Sequence, residues 1–285
     1  MSSAALTRML TGFYVLLFFS YLFGPLVLMS ISAFNSETYP TAVPWSGFTL
    51  EWFDKMYRDA DLVRGFRNSL VIGAGVVILS VPIGLAAAIL MSQMHRRART
   101  IYYAVVLSPM LTPGVIIGIS TLVFWDRLGT NFDADWDSIF YDGIFLSILG
   151  QTTFISTFCM LIFLARLQRF DRAQEEAALD LGASHFQVFR RILLPFLRPA
   201  VLAAVVLAFL TSFENYNTTV FTIVSESTLT TVLAGKVRLG TDPSISALAV
   251  LIILITLLGA VSIELRRRRE ERVAAERKAA EKASP

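Results

Sequence analysis

Six long apolar blocks divide the chain, at residues 9–34, 69–91, 101–125, 144–164, 199–224 and 246–265. Each approaches or exceeds the ~20 residues that carry a helix across ~30 Å of hydrocarbon. The blocks are continuous rather than alternating, so they predict spanning helices and not the strands of a barrel. Polar residues interrupt the fifth block, which makes it the least apolar of the six. The first block is preceded by Arg8, as a cleavable signal would be. Its apolar run of about 25 residues exceeds the usual h-region of about 7–15, so it is read as a retained span.

The loops set the expected orientation. Arg96, Arg97 and Arg99 follow the second block, six arginines (Arg166, Arg169, Arg172, Arg190, Arg191, Arg198) lie between the fourth and fifth, and Arg266–Arg269 follow the sixth. The third-to-fourth connection is acidic instead, with Asp126, Asp133, Asp135, Asp137 and Asp142 against Arg127. The positive-inside rule then places both termini in the cytoplasm, as an even number of spans requires. Composition agrees: 55% of the 285 residues are hydrophobic and only 16% charged, where a soluble domain carries about 25%. The net charge is +3, with the basic residues confined to loops and tail, so no nucleic-acid surface is expected. One cysteine, Cys159, excludes an intrachain disulfide and a multi-cysteine metal site.

The connection between blocks four and five, residues 167–197, carries the densest local signal. Asp171 with Gln174 forms a helix-capping pattern, good helix formers follow to Leu181, and Gly182 supplies a left-handed stop. Ser184 with Gln187 starts a second capping pattern, and the second helix, with Phe186, Phe189 and Leu193 on one side, is expected to end near Pro195. The result is a helix–glycine–helix elbow on the cytoplasmic face. Its first arm presents the small Ala177 and Ala178 beside Glu175 and Glu176, which suits close approach of a basic partner. On these residues alone, an amphipathic loop lying on the membrane surface explains the pattern equally well.

Chemistry at membrane depth is sparse. Glu214 is the one acidic residue well inside an apolar block, about 15 residues or 22 Å from Pro199 along a helix. Burying a charge there costs roughly 2.5–3.5 kcal/mol, so it is expected to face water or a polar partner. Thr211, Glu214, Asn215, Thr218 and Thr222 follow helical spacing and predict one polar stripe, flanked by Tyr216 and Asn217. The competing reading ends the fifth span near Phe213 and leaves Glu214 in an outer loop. Thr112, Pro113 and Gly114 in block three and Gln151, Thr152 and Thr153 in block four are further candidates for a polar path, with ordinary helix packing as their alternative. No phosphate-binding loop is present: around Gly235-Lys236, Thr230 replaces the first glycine and Val237 the hydroxyl residue. His95 and His185, the only histidines, have no clustered partner, and no catalytic residue or metal site is expected.

The elbow resembles the EAA signature of ABC-importer permeases: Glu176-Ala177-Ala178, three residues, Gly182, nine residues, then Ile192-x-Leu194-Pro195. Residues 32–35 (Ser-Ala-Phe-Asn), 45–52 and 68–70 (Asn-Ser-Leu), with Ser108-Pro109, are similar to the spermidine/putrescine permease subfamily, and most to the second of its two paired permeases. The resemblance implies an all-α, six-span type I importer permease in a bacterial inner membrane. Residues 1–64 would form a peripheral span and outer loop, 65–265 the transport core, and 266–285 a charged tail. It implies that Glu175, Glu176, Ala177, Ala178, Gly182, Ile192, Leu194 and Pro195 couple the chain to an ATPase. The implied partners are a second homologous permease, two ATP-binding subunits that hold ATP and magnesium, and a periplasmic substrate-binding protein. No cofactor is expected on this chain. Glu214, Asn215, Thr211, Thr218, Gln151 and Thr112 are the candidates for the translocation path. Polyamine permeases often carry paired acidic residues where this chain has Glu214-Asn215, and an acidic residue where it has Gly114. That departure widens the expected substrate from a dication to any small polar or cationic solute. A stand-alone secondary transporter and an integral membrane enzyme are the rival readings; no inverted repeat and no ionisable cluster supports them.

Overall fold

A computed structural model describes residues 3–240 and 242–283. The described chain is helical: α1 (Ser3–Ser32), α2 (Glu51–Arg58), α3 (Ala60–Gln93), α4 (Arg96–Leu111), α5 (Gly114–Asn131), α6 (Gly143–Leu167), α7 (Ala173–Asp180), α8 (His185–Val188), a π-helical stretch (Phe189–Leu193), α9 (Leu194–Phe213), α10 (Thr219–Thr222), α11 (Leu229–Leu239) and α12 (Ser244–Ala283). Four segments are long and apolar enough to cross a membrane: Thr7–Ser32, α3, α6 and His185–Phe213.

Two expected spans look different. Block three is not one rod, because α4 and α5 meet at 96°. The bend falls where Pro113 lacks an N–H and biases Thr112 to extended backbone, so the helical ladder cannot pass. Counted together, the bent pair makes a fifth span. Block six lies in α12, whose described apolar part, Ser244–Gly259, is shorter than the other spans before the helix runs on into the charged tail.

The chain divides into two compact units. One comprises residues up to Ala60 with those from Lys236 onward; the other runs from Asp61 to Gly235. In the first, Asn35 is buried and organises the loop that follows α1. Its amide donates to the carbonyls of Thr41 and Pro44 at 3.0 and 2.9 Å, and its oxygen accepts from Ser46 N–H at 3.0 Å. Trp52 on α2 donates its indole N–H to the Asn35 carbonyl at 2.8 Å and packs with Ala33 and Ala247. These are residues of the 32–35 and 45–52 motifs, so both motifs are structural.

The core of the second unit lies between α3, α6 and α9. Ile72, Val76, Ala88 and Met91 meet Ile155, Cys159, Met160 and Phe163, and Ala200, Ala204 and Ala208 close the cluster. Those alanines recur every four residues and form a small-residue ridge that lets α9 lie close to α6, as packing between apolar helices requires where no hydrophobic effect drives it. Gly84 does the same for α3: a Cβ there would sit 2.5 Å from Cys159 Cβ.

Candidate functional site

Two polar constructions stand out in the second unit, one between α6 and α9 and one after α9. The first is the elbow. Asp171 Oδ1 accepts from Ala173 N–H at 3.0 Å and starts α7. At its end, Gly182 N–H bonds to the Leu179 carbonyl at 2.9 Å and Ala183 N–H to the Ala178 carbonyl at 3.0 Å. With Gly182 at φ +85°, this is the Schellman termination. A Cβ at Gly182 would meet nothing within 4 Å, so backbone conformation and not space demands glycine. Ser184 and Gln187 then form the full reciprocal capping box, Ser184 N–H to Gln187 Oε1 at 2.8 Å and Gln187 N–H to Ser184 Oγ at 3.3 Å.

The second arm does not end near Pro195. It runs through the π-helical stretch into α9, continuous from His185 to Phe213. Leu194 N–H reaches back five residues to the Phe189 carbonyl, and this wider register admits Pro195, which has no N–H to offer. The second arm of the elbow is therefore continuous with the fifth span. Of the residues expected on one side of this arm, Phe186 is exposed and Phe189 and Leu193 are half-buried, while Val188 is buried.

What the elbow presents is now definite. Leu181 is 89% exposed and Phe186 68%, one on each side of Gly182. Glu176 and Ala177 are exposed, Glu175 and Ala178 half-buried, and neither carboxylate has an ion-pair partner among the described residues. Ile192, Leu194 and Pro195 are half-buried on the π-to-α9 segment. Two contacts that sequence reasoning missed hold the elbow in place. Arg172 Nη2 donates to the Ser92 carbonyl at 2.7 Å, fastening α7 to the last turn of α3. Arg166, at the end of α6, donates to the Phe196 carbonyl at 3.2 Å while its guanidinium lies 4.1 Å from the Phe196 ring centroid. Long-range arginine contacts of this kind leave no local pattern to read.

The second construction is the break after α9. The helix stops at Phe213, so the expected stripe is not one helix face, and the reading that ends the span there describes the backbone. Asn215 is the physical reason. Its Oδ1 accepts from Thr218 N–H, Thr219 N–H and Thr219 Oγ1 at 3.2, 3.3 and 3.1 Å, a side-chain turn that competes with continued helix and starts α10. Glu214 and Asn217 are exposed, whereas Thr218, Thr219 and Thr222 are buried. Thr211 is half-buried. Thr112 is also half-buried and gives its hydroxyl to the Ser108 carbonyl at 2.8 Å.

Gln151 on α6 is 1% exposed and bonded at both ends of its amide: the nitrogen donates to Thr219 Oγ1 at 2.8 Å and the oxygen accepts from Ser212 Oγ at 2.5 Å. Ser147 and Thr222 pair their hydroxyls nearby at 2.9 Å. Three glycines of α5 and α6 admit Thr218: a Cβ at Gly114, Gly118 or Gly150 would lie 3.0, 2.6 or 3.2 Å from its atoms. Further along, Asn68 on α3 donates to Glu226 Oε2 at 3.0 Å and to the Ser227 carbonyl at 2.9 Å, and Ser69 Oγ accepts from Leu229 N–H at 3.0 Å. The 68–70 motif thus ties down the segment after α10. Among the described residues no group of His, Cys, Asp and Glu is placed to hold a metal.

Comparison with known proteins agrees with this architecture. The family described as "Binding-protein-dependent transport system inner membrane component" matches residues 80–272. The spermidine/putrescine transport system permease protein PotC of Escherichia coli (strain K12) is 27% identical over 259 residues, covering 90% of this chain and 94% of the relative. The putrescine transport system permease protein PotI of the same organism is 31% identical over 253 residues, covering 87% and 85%. Among solved structures, a chain of a bacterial ABC transporter involved in the import of the acidic polysaccharide alginate superposes with a TM-score of 0.67 at 18% identity, covering 89% of this chain and 91% of that one. A chain of the alginate transporter in complex with a pentasaccharide-bound periplasmic protein gives 0.66 at 16% identity, covering 89% and 90%.

Proposed function

The chain belongs to the family of binding-protein-dependent transport system inner membrane components and is a multi-pass permease subunit of an ABC importer, and on that premise we propose how its two polar constructions divide the work. The elbow is the coupling element. Leu181 and Phe186 enter an apolar cleft on an ATP-binding subunit, and the unpaired Glu175 and Glu176 meet basic residues at its rim. Because the elbow continues into α9 and is fastened to α3 through Arg172, closure of the ATP-binding subunits moves the inner ends of both spans. ATP and magnesium stay on those partner subunits, and this chain performs no covalent step. A second, similar permease supplies the other half of the pore, and a soluble binding protein delivers the solute.

The break after α9 is the candidate path. Buried Gln151, Ser212 and Thr219 with the half-buried Asn215 form a clamp that fixes where the backbone turns. The exposed part of the break, Glu214 with Asn217, is what a solute meets. Relatives named for spermidine and putrescine favour a cationic solute, and Glu214, with the neutral Asn215 beside it, suits one with a localised positive charge. Conversion between inward- and outward-facing states then follows from a population shift driven by ATP binding elsewhere.

The observation that carries this reading is the elbow: a geometrically fixed turn with two large apolar side chains exposed beside it. The experiment is reconstitution in liposomes, with the second permease, the ATP-binding subunits and the binding protein added or withheld. Uptake is expected only from the full set with ATP. Uptake by this chain alone, without ATP, overturns the reading in favour of a stand-alone transporter.

A further inference from the structure

A cavity of about 440 Å³ lies where the last turn of α3, the first turns of α4 and the end of α6 come together. Its lining divides by chemistry. Met91 and Leu164 give it an apolar floor, both nearly fully buried, while Arg96, Arg99, Thr100 and Tyr103 bring donors from α4. No carboxylate lines it, and the first turn of α4 carries no acidic residue. Neither guanidinium forms an ion pair among the described residues. Two unneutralised positive charges over an apolar floor call for a ligand with an anionic head and an apolar body.

Position narrows the ligand further. α4 has no buried residue over its 16 positions, and beyond the arginines the cavity-lining face runs on through Tyr103, Leu107 and Met110, with Tyr103 38% exposed, Leu107 half-buried and Met110 37% exposed. An occupant seated on Arg96 and Arg99 therefore continues along an apolar helix surface at the end of the chain's spans that carries the basic loops. This is the geometry of an acyl chain under a headgroup at the inner interface.

We propose that the cavity bounded by Arg96 and Arg99 is a binding site for an anionic diacyl phospholipid, its phosphate held by the two guanidiniums and its chains laid along α4. The site adjoins the elbow's tether without sharing its residues: Ser92, whose carbonyl receives Arg172, immediately follows Met91. Lipid seated here braces the inner ends of α3, α4 and α6 against one another.

Arg97 provides an internal control. It carries the same charge on the same turn, yet does not line the cavity. The test is native mass spectrometry of the assembled complex, purified in a non-ionic detergent and exposed to equal amounts of phosphatidylglycerol and phosphatidylethanolamine. Preferential retention of phosphatidylglycerol is expected, falling about tenfold in the Arg96→Gln/Arg99→Gln double variant and little in Arg97→Gln. Arg96→Lys/Arg99→Lys, which keeps the charge, should retain more lipid than the glutamine pair. Equal loss in Arg97→Gln would mean that only the bulk positive charge of the loop matters, and it overturns the site. So does absence of preference between the two lipids. Displacement of the lipid by excess inorganic phosphate marks a free-anion site instead. Dissociation of the complex in the double variant, with no change in lipid retention by the freed chain, marks a protein contact instead.

Discussion

The elbow and the break after α9 both turn a helix, but they do so with different kinds of bond. At the elbow nearly every turn-defining contact spans six residues or fewer: Asp171 to Ala173, Ala178 to Ala183, Ser184 to Gln187. At the break a local turn on Asn215 is locked by contacts that reach across the sequence, from Gln151 to Ser212 and Thr219, and from Asn68 to Glu226 and Ser227. The elbow is mostly exposed and the break's clamp mostly buried. A turn built locally can present a surface and keep its shape while a partner moves it. A turn locked by buried long-range bonds is fixed in position by the bundle around it.

That difference predicts different failures. Gln151→Leu takes the acceptor from the buried Ser212 hydroxyl and one of two partners from Thr219, which keeps its bond to Asn215. A stranded hydroxyl costs roughly 1–3 kcal/mol, less where neighbours re-pair within the membrane. We expect a loss of thermal stability of the purified complex by several degrees, with uptake and ATP hydrolysis falling together. Unchanged stability would show that the break is held by Asn215 alone.

At the elbow the order reverses. Gly182→Val places a β-branched residue at φ +85°, costing on the order of 1–2 kcal/mol in a turn that contributes little to the core. Insertion and thermal stability should persist, while ATPase association or transport-coupled hydrolysis falls. Because nothing lies within 4 Å of the missing Cβ, Gly182→Ala should show a weaker version of the same defect and Gly182→Asn nearly none, since Asn tolerates the left-handed region. Equal defects in all three would point to a steric requirement imposed by the partner instead of strain.

The same contrast explains what was legible in the sequence. Gly182, Ser184 and Gln187 could be placed in their roles because capping and left-handed termination depend on residues a few positions apart. The apolar blocks could be found because burial in lipid is a property of a run of residues. Pro113 stood out within block three, but no local pattern of residues specifies the 96° angle between α4 and α5. Continuation through Pro195 was unreadable because proline ordinarily ends a helix, and the compensating π register has no sequence signature. The end of α9 stayed open between two readings for a local reason: Thr211, Glu214 and Thr218 keep helical spacing whether or not the Asn215 side chain diverts the backbone.

Glu214 sits between the two kinds of turn. It caps the C-terminal end of α9, is exposed, and accepts no hydrogen bond from a side chain among the described residues. A carboxylate at a helix C-terminus opposes the macrodipole by about 0.3–1 kcal/mol. Glu214→Gln should therefore leave stability unchanged or slightly raised, and basal ATP hydrolysis intact. Uptake of a cationic solute should fall and uptake of a neutral one should change little. After replacement of Cys159, a cysteine in place of Glu214 should react with a water-soluble thiol reagent, more slowly with solute present. A variant that only abolishes expression would make Glu214 a folding residue and remove it from the path.

The smallest effect is expected where a long-range tie is exposed. In the first unit Lys55 on α2 pairs with Asp242 at 2.5 Å, and Ser244 donates to the same carboxylate. Partial burial works against the charged form of Asp242, but the donors from Lys55 and Ser244 and the nearby ammonium outweigh it and hold the carboxyl below its ordinary value. A carboxylate with a lowered pKa contributes its stability above the ordinary carboxylate range, and that contribution is lost as pH falls through the folded value. The tie should thus be intact at neutral pH and fail only in acid. The Lys55 side chain is 54% exposed and that of Asp242 30%, so solvent and salt screen most of the attraction. Hydrogen exchange in α2 should accelerate modestly between pH 6 and about pH 3, after correction for intrinsic rates, and Asp242→Asn should remove that pH dependence while matching the acid rate at neutral pH. High salt should produce part of the same change. If Asp242→Asn instead destabilises the chain as much as Gln151→Leu does, distance along the sequence and not burial decides how much a tie matters, and the contrast between the elbow and the break has to be redrawn on that axis.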